Sequence, residues 1–131
     1  MKIVADTNTF LAVALEGEEK SWLIEKTVGH DLMAPAVLPY EIGNALSALV
    51  RRHVLSEQQL AAAWDATAAI PVELATIDVR AALLLAGRLN IYADDAYFLQ
   101  CALESKCPLL TLDKGLKHVA SGIGIKLVEQ S

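Results

Sequence analysis

Short apolar runs of strand length alternate along this chain with longer segments of helical period, and that alternation restricts the fold more than any other feature. Lys2 to Asp6 reads as the first strand. Leu32 to Ala34, ended by Pro35, and Val72 to Ala75, after Pro71, read as two more. Leu109 to Leu112 and Ile125 to Val128 bring the set to about five. The helical segments fall between them. Thr9 to Leu15 stops near Gly17, and Glu18 to Val28 follows with Trp22 and Leu23 on its apolar side. Val37 to His53 is long and tolerates Pro39 in its first turn. Ser56 and Gln59 form a capping box for a helix to about Ala69. Asp78 caps a helix to Leu89, Asp94 or Asp95 opens one through Glu104, and Asp113 caps a short one. Nearly continuous apolar strands separated by helices predict a parallel sheet covered on both faces. The expected class is α/β, in three α/β/α layers around a central, mostly parallel sheet. Sites in such sheets lie outside the carboxyl ends of the strands, where strand order reverses.

Size and composition fit one domain spanning residues 1–131. A chain of this length buries about two thirds of its unfolded surface and needs no staple. Hydrophobic residues at 54% and charged residues at 21% exclude disorder. The apolar runs, such as Ala81 to Gly87, fall far short of the roughly 20 residues of a spanning helix. Asp6 interrupts any signal-peptide apolar region. The expectation is a water-soluble, cytoplasmic protein with no membrane partner. Cys101 and Cys107 form no C-x-x-C and have no histidine at zinc spacing, so they read as reduced thiols.

The net charge of −5 argues against a basic nucleic-acid binder. The position of the acids says more than their number. Asp6 and Asp113 each follow an apolar strand. If both strands are central and parallel, the two acids share one rim of the sheet. Each also reads as a helix N-cap. Asp94 and Asp95 suit the first turn of a helix, where acids complement the dipole. Asp95 has Phe98 and Leu99 at i+3 and i+4, at the edge of a buried face. Glu41 lies well inside its helix, among Val37, Leu38 and Ala45, where an unpaired carboxylate is costly. Either a Lys or Arg reaches it, or it belongs to a site. Four carboxylates on one rim would repel, and a hard cation with oxygen ligands, Mg²⁺ or Mn²⁺, would relieve them. Without those four acids the chain is nearly neutral. Arg51, Arg52, Lys114 and Lys117 read as solvated surface or as contacts for a phosphate backbone.

These residues also resemble a known family. Ile3-Val4-Ala5-Asp6-Thr7-Asn8 is similar to the opening strand and first acid of PIN domains. Leu38-Pro39-Tyr40-Glu41-Ile42-Gly43-Asn44 resembles their second motif, Asp95-Ala96-Tyr97-Phe98-Leu99 the third, and Leu110-Thr111-Leu112-Asp113 the fourth. The motifs occur in order from end to end of the chain, most like the toxins of VapBC toxin–antitoxin pairs. The resemblance implies a metal-dependent ribonuclease in which Asp6, Glu41, Asp95 and Asp113 hold one or two Mg²⁺ or Mn²⁺ ions and position a water for attack on an RNA phosphodiester. Asp94 stands where the family commonly has an aromatic and adds an acid beside the site. Thr7, Asn8 and Thr111 would orient ligands or bind water. A homodimer and a cognate antitoxin partner are further implications, with Val37 to Leu49 and Ser56 to Ala69 as candidate surfaces.

Two other classes compete. An aspartyl-phosphate phosphotransferase would place its nucleophile at Asp6, but it would want a second acid nearby, and Asn8 stands two positions on. A non-catalytic RNA- or protein-binding module would need none of the acids. The chain contains no phosphate-binding G-x-x-x-x-G-K-[ST] loop, no G-x-S-x-G elbow and no His-Glu-x-x-His.

Overall fold

The computed structural model describes residues 1–128 of the chain. Its sheet has four strands: β1 (Lys2–Ala5), β2 (Asp31–Pro35), β3 (Glu73–Ala75) and β4 (Leu109–Leu110), in the order β3-β2-β1-β4. All pairings are parallel, with Val4 opposite both Met33 and Leu109. Parallel pairing places the carboxyl ends of all four strands on one rim. β1 is central, and Ile3, Val4 and Ala5 are fully buried, which accounts for its unbroken apolar run.

The helices are α1 (Thr7–Ala14), α2 (Lys20–Thr27), α3 (Leu38–Arg51), α4 (Glu57–Ala68), α5 (Val79–Leu89), α6 (Ala93–Ser105) and α7 (Lys114–Gly122). α1 packs against α2, α3 and α4. α5 packs on α6, and α6 lies against β1 and β2. Phe10, Leu23, Leu46, Leu99, Leu109 and Leu110 fill the spaces between layers and are all essentially buried. Each such side chain stabilises the fold by about 1.5–3 kcal/mol relative to exposure. Asn90 ends α5 in the left-handed region, which a short polar side chain tolerates. Among the described residues, no helix is long and apolar enough to cross a membrane.

The structure corrects several expectations. The strand expected over 125–128 contributes a single parallel bridge, Leu109 to Leu127, with hydrogen bonds from Leu109 N to Lys126 O and from Val128 N to Leu109 O at 2.8 and 2.9 Å. β4 stops at Leu110, because Thr111 turns its hydroxyl to Asp6 and accepts from the Asp113 N–H, which bends the chain out of the ladder. Glu41 is not deep in a helix. α3 begins at Leu38 with Pro39 in its first turn, so Glu41 also belongs to that turn. α6 is capped by Tyr92, and Asp94 and Asp95 sit inside its first turn rather than opening it. α1 begins at Thr7, two residues earlier than its apolar pattern suggests, because Asp6 is its N-cap.

Candidate active site

Four helix N-termini meet at the carboxyl rim of the sheet. Asp6 caps α1 and Asp113 caps α7, while Glu41 lies in the first turn of α3 and Asp94 and Asp95 in that of α6. The partial positive charge of each N-terminus offsets part of the repulsion among the acids. A cap and a site residue are therefore one and the same here. A cleft of about 320 Å³ opens between these elements. It is lined by Asp6, Thr7, Asn8, Glu41, Asn44, Ala45, Asp94, Asp95 and Phe98.

Asp6 is the most firmly held of the acids. It is buried, and its Oδ1 accepts from the Thr9 N–H at 3.1 Å and the Thr9 hydroxyl at 2.7 Å. The Thr111 hydroxyl donates to Oδ2. Thr111 in turn accepts from the Asp113 N–H at 3.1 Å, and Asp113 Oδ1 accepts from the Leu116 N–H at 3.1 Å. One chain of hydrogen bonds thus ties the ends of β1 and β4 together. Asp113 stands at the edge of this network, exposed and outside the cleft lining.

Burial raises the Asp6 carboxyl above its ordinary range, and Asp113 adds to the effect, while the threonine hydrogen bonds pull the other way. Burial also raises Glu41, with a contribution from Asp94. Asp95 is pushed up to about 6, first by burial and then by Asp94, Asp113, Asp6 and Glu41. Asp95 thus senses every other acid of the rim. Among the described residues, no ion pair reaches any of these five acids. The pairs Lys2–Glu73 and Lys20–Glu16, at 2.9 and 3.0 Å, lie elsewhere. The Lys or Arg that the sequence allowed as a partner for Glu41 does not reach it.

Oxygen is the only donor element of this set, which suits Mg²⁺ or Mn²⁺ and disfavours soft metals. Among the described residues, no three His, Cys, Asp or Glu side chains are drawn close enough to grip an ion unaided. Unneutralised carboxylates stand apart. A hard cation that keeps several waters needs only one or two direct carboxylates, so the set still fits.

A family model for the PIN domain matches residues 3–122. The chain belongs to the PIN domain family. Two solved structures share this PIN fold at low sequence identity. PAE2754 from Pyrobaculum aerophilum superposes with a TM-score of 0.67 at 19% identity, covering 98% of this chain and 84% of that one. VapBC2 from Rickettsia felis, bound to a DNA fragment from their promoter, superposes with a TM-score of 0.66 at 14% identity, covering 97% of each chain. No curated protein matches the sequence.

In this PIN domain Thr7 and Asn8 line the cleft, and Thr111 reaches it through Asp6. The basic candidates lie outside it. Arg51 and Arg52 end α3, ten residues past Glu41, which is about 15 Å along a helix axis. Lys114 is exposed at the start of α7, and Lys117 lies one turn further on. Asn44, part of the second motif in the sequence but not named there as a site residue, lines the cleft one turn beyond Glu41. One polar residue escaped the sequence reading. Thr9 holds Asp6 with both its amide and its hydroxyl, and an Asp-x-x-Thr cap pattern foreshadows it.

Proposed function

We propose that this protein is a Mg²⁺- or Mn²⁺-dependent endoribonuclease acting as the toxin of a type II toxin–antitoxin pair. The observation that carries this reading is the meeting of Asp6, Glu41, Asp94, Asp95 and Asp113 on one rim, with no ion pair to any of them among the described residues. Such a set is costly as pure structure and useful as a cation site. Asp6, Glu41, Asp95 and Asp113 would hold the ion or ions, with Asp94 beside them. A bound divalent cation supplies Lewis-acid polarisation of a phosphodiester and a water of lowered pKa.

The chain's own groups do the positioning. Thr9 and Thr111 fix both oxygens of Asp6, so its orientation is settled before any ligand arrives. Thr7, Asn8 and Asn44 offer hydroxyl and amide groups along the cleft for water or for phosphate oxygens. Phe98 and Ala45 add apolar surface to the cleft lining. Lys114 and Lys117, at the start of α7 after Asp113, would meet the flanking backbone of RNA.

A homodimer and an antitoxin partner belong to the same reading. VapBC2, whose PIN fold this chain shares, supports an antitoxin partner. Of the helices named from sequence as partner surface, α3 turns Leu38, Ile42 and Leu46 inward but exposes Tyr40, and α4 leaves Trp64 40% exposed. Exposed apolar residues also lie on α5, where Leu83 and Leu84 are 50% and 57% exposed. A partner would cover that face.

The test is cleavage of a structured RNA pool with Mn²⁺ or Mg²⁺ and with EDTA, for wild type and Asp95→Asn. Cleavage that needs the metal and is lost in Asp95→Asn supports the reading. Equal cutting by both proteins, or cutting in EDTA, overturns it.

A further inference from the structure

Beside the carboxylate cleft lies a second concavity of about 260 Å³, walled mostly by apolar residues, with Thr76 and one aromatic ring among them. It opens at the carboxyl ends of the outer strands, where Ala36 and Val37 follow β2 and Ala75 ends β3, and Ile77, Val79 and Tyr97 complete it. Two helices link it to the cleft. Val37 carries the carbonyl that accepts from the Glu41 N–H at 3.0 Å, so one turn of α3 separates the pocket wall from a cleft acid. Asp94 of the cleft and Tyr97 of the pocket are likewise one turn apart on α6, the spacing of neighbours on a helix surface. All three tyrosines of the chain occupy these two helix starts. Tyr40 precedes Glu41 and is 73% exposed, and Tyr92 caps α6 and is 83% exposed.

We infer that this pocket receives one base of a single-stranded RNA whose neighbouring phosphate lies at the carboxylate cleft, with Tyr97 as its stacking ring. Its volume falls just below the range of about 300–1,000 Å³ that holds drug-sized ligands, which suits a single ring system. Bases of single strands are held by aromatic stacking and apolar walls, with backbone contacts supplied separately. Tyr40 and Tyr92 expose further rings at the same two helix starts. The inference takes its substrate class from the nuclease reading above. The pocket then sets which base stands next to the cut bond.

The experiment follows the methyl NMR signals of Ile77, Val79 and Ala45 in metal-free protein. The probes are the four uncharged ribonucleosides, then RNA hexamers of each base. A nucleoside that moves Ile77 and Val79 but not Ala45, and ceases to do so in Ala36→Trp, supports the inference. Ala36 is exposed, so the indole fills the pocket from outside the core. Tyr97→Ala should weaken hexamer binding about tenfold, the loss of one base–aromatic stack, and Tyr97→Phe should restore it. The inference is overturned if no nucleoside or hexamer moves Ile77 and Val79, or if Ala36→Trp binds like wild type. It is equally overturned if sedimentation shows that Ala36→Trp splits a dimer, because the pocket is then a contact between copies. Nucleoside binding in a protein that cuts no RNA would leave the pocket standing and end the nuclease reading instead.

Discussion

Thr111 donates its hydroxyl to Asp6 across the junction of the first and last strands of the sheet, 105 positions away in the chain. The same oxygen accepts from the Asp113 amide, so one buried threonine holds two acids of the rim in register. Thr111→Val removes the donor and the acceptor at nearly constant volume. It leaves Asp6 a buried carboxylate short of one hydrogen bond. Urea unfolding should show a loss of about 1–3 kcal/mol, the usual cost of an unsatisfied buried group. Thr111→Ser should recover most of it.

Asp95 makes metal-free stability depend on pH. Its carboxyl titrates near 6 in the fold and near 3.8 when unfolded, so the fold binds the proton more tightly. Stability from this group is full below about 4 and falls as pH rises through about 6. Asp95→Asn abolishes that fall. In EDTA at pH 7.5 the variant should melt higher than wild type, by about 1 kcal/mol or less, because the site is half open to water and screened. The two proteins should converge near pH 4. A wild-type midpoint that climbs between pH 4 and 7 relative to the variant contradicts the assignment.

Cation binding should reverse that order. A divalent ion at a hundred times its dissociation constant stabilises the folded state by about 2.7 kcal/mol, roughly 10 °C in midpoint for a chain of this size. Scanning calorimetry of wild type in EDTA and then in Mn²⁺ should show this rise. Glu41→Gln should lose most of it, and its EDTA midpoint should lie at or slightly above that of wild type, because burial and Asp94 already disfavour the Glu41 charge.

Ser56 supplies a control far from the chemistry. Its hydroxyl accepts from the Gln59 N–H at 3.1 Å, while the Gln59 side chain accepts from the Ser56 N–H at 2.8 Å. Ser56→Ala should lower stability by about 1 kcal/mol and leave the cleavage rate unchanged. A rate change in this variant would show that α4 is coupled to the cleft.

The strands and the acids were readable because each follows from a local rule. Ile3, Val4 and Ala5 form an unbroken apolar run because β1 is covered on both faces, and Ser56 with Gln59 announces the start of α4 by chemistry alone. What escaped depends on long-range contact. The end of β4 is decided by a hydroxyl meeting Asp6, not by the apolar residues Leu109 to Leu112. The depth of Glu41 depended on where α3 starts, and the Leu38-Pro39 start shortened the distance. Arg51 and Arg52 shared a helix with Glu41 in sequence, yet helical rise carries them to its far end. Asp95 was legible as an acid at a buried edge, but the joint influence of four other acids on it exists only once the rim is assembled.

The pairing of β1 with β4 joins Val4 to Leu109 and so closes the longest loop in the sheet. Such contacts cost chain entropy that must be lost before they stabilise anything. The rim cannot be complete before that loop has closed. A chain still on the ribosome has Asp6, Glu41 and Asp95 in hand, but it lacks Thr111 to orient the first and Asp113 to complete the set. The cleft therefore stays unfinished until residues 109–113 have been made and have docked beside β1.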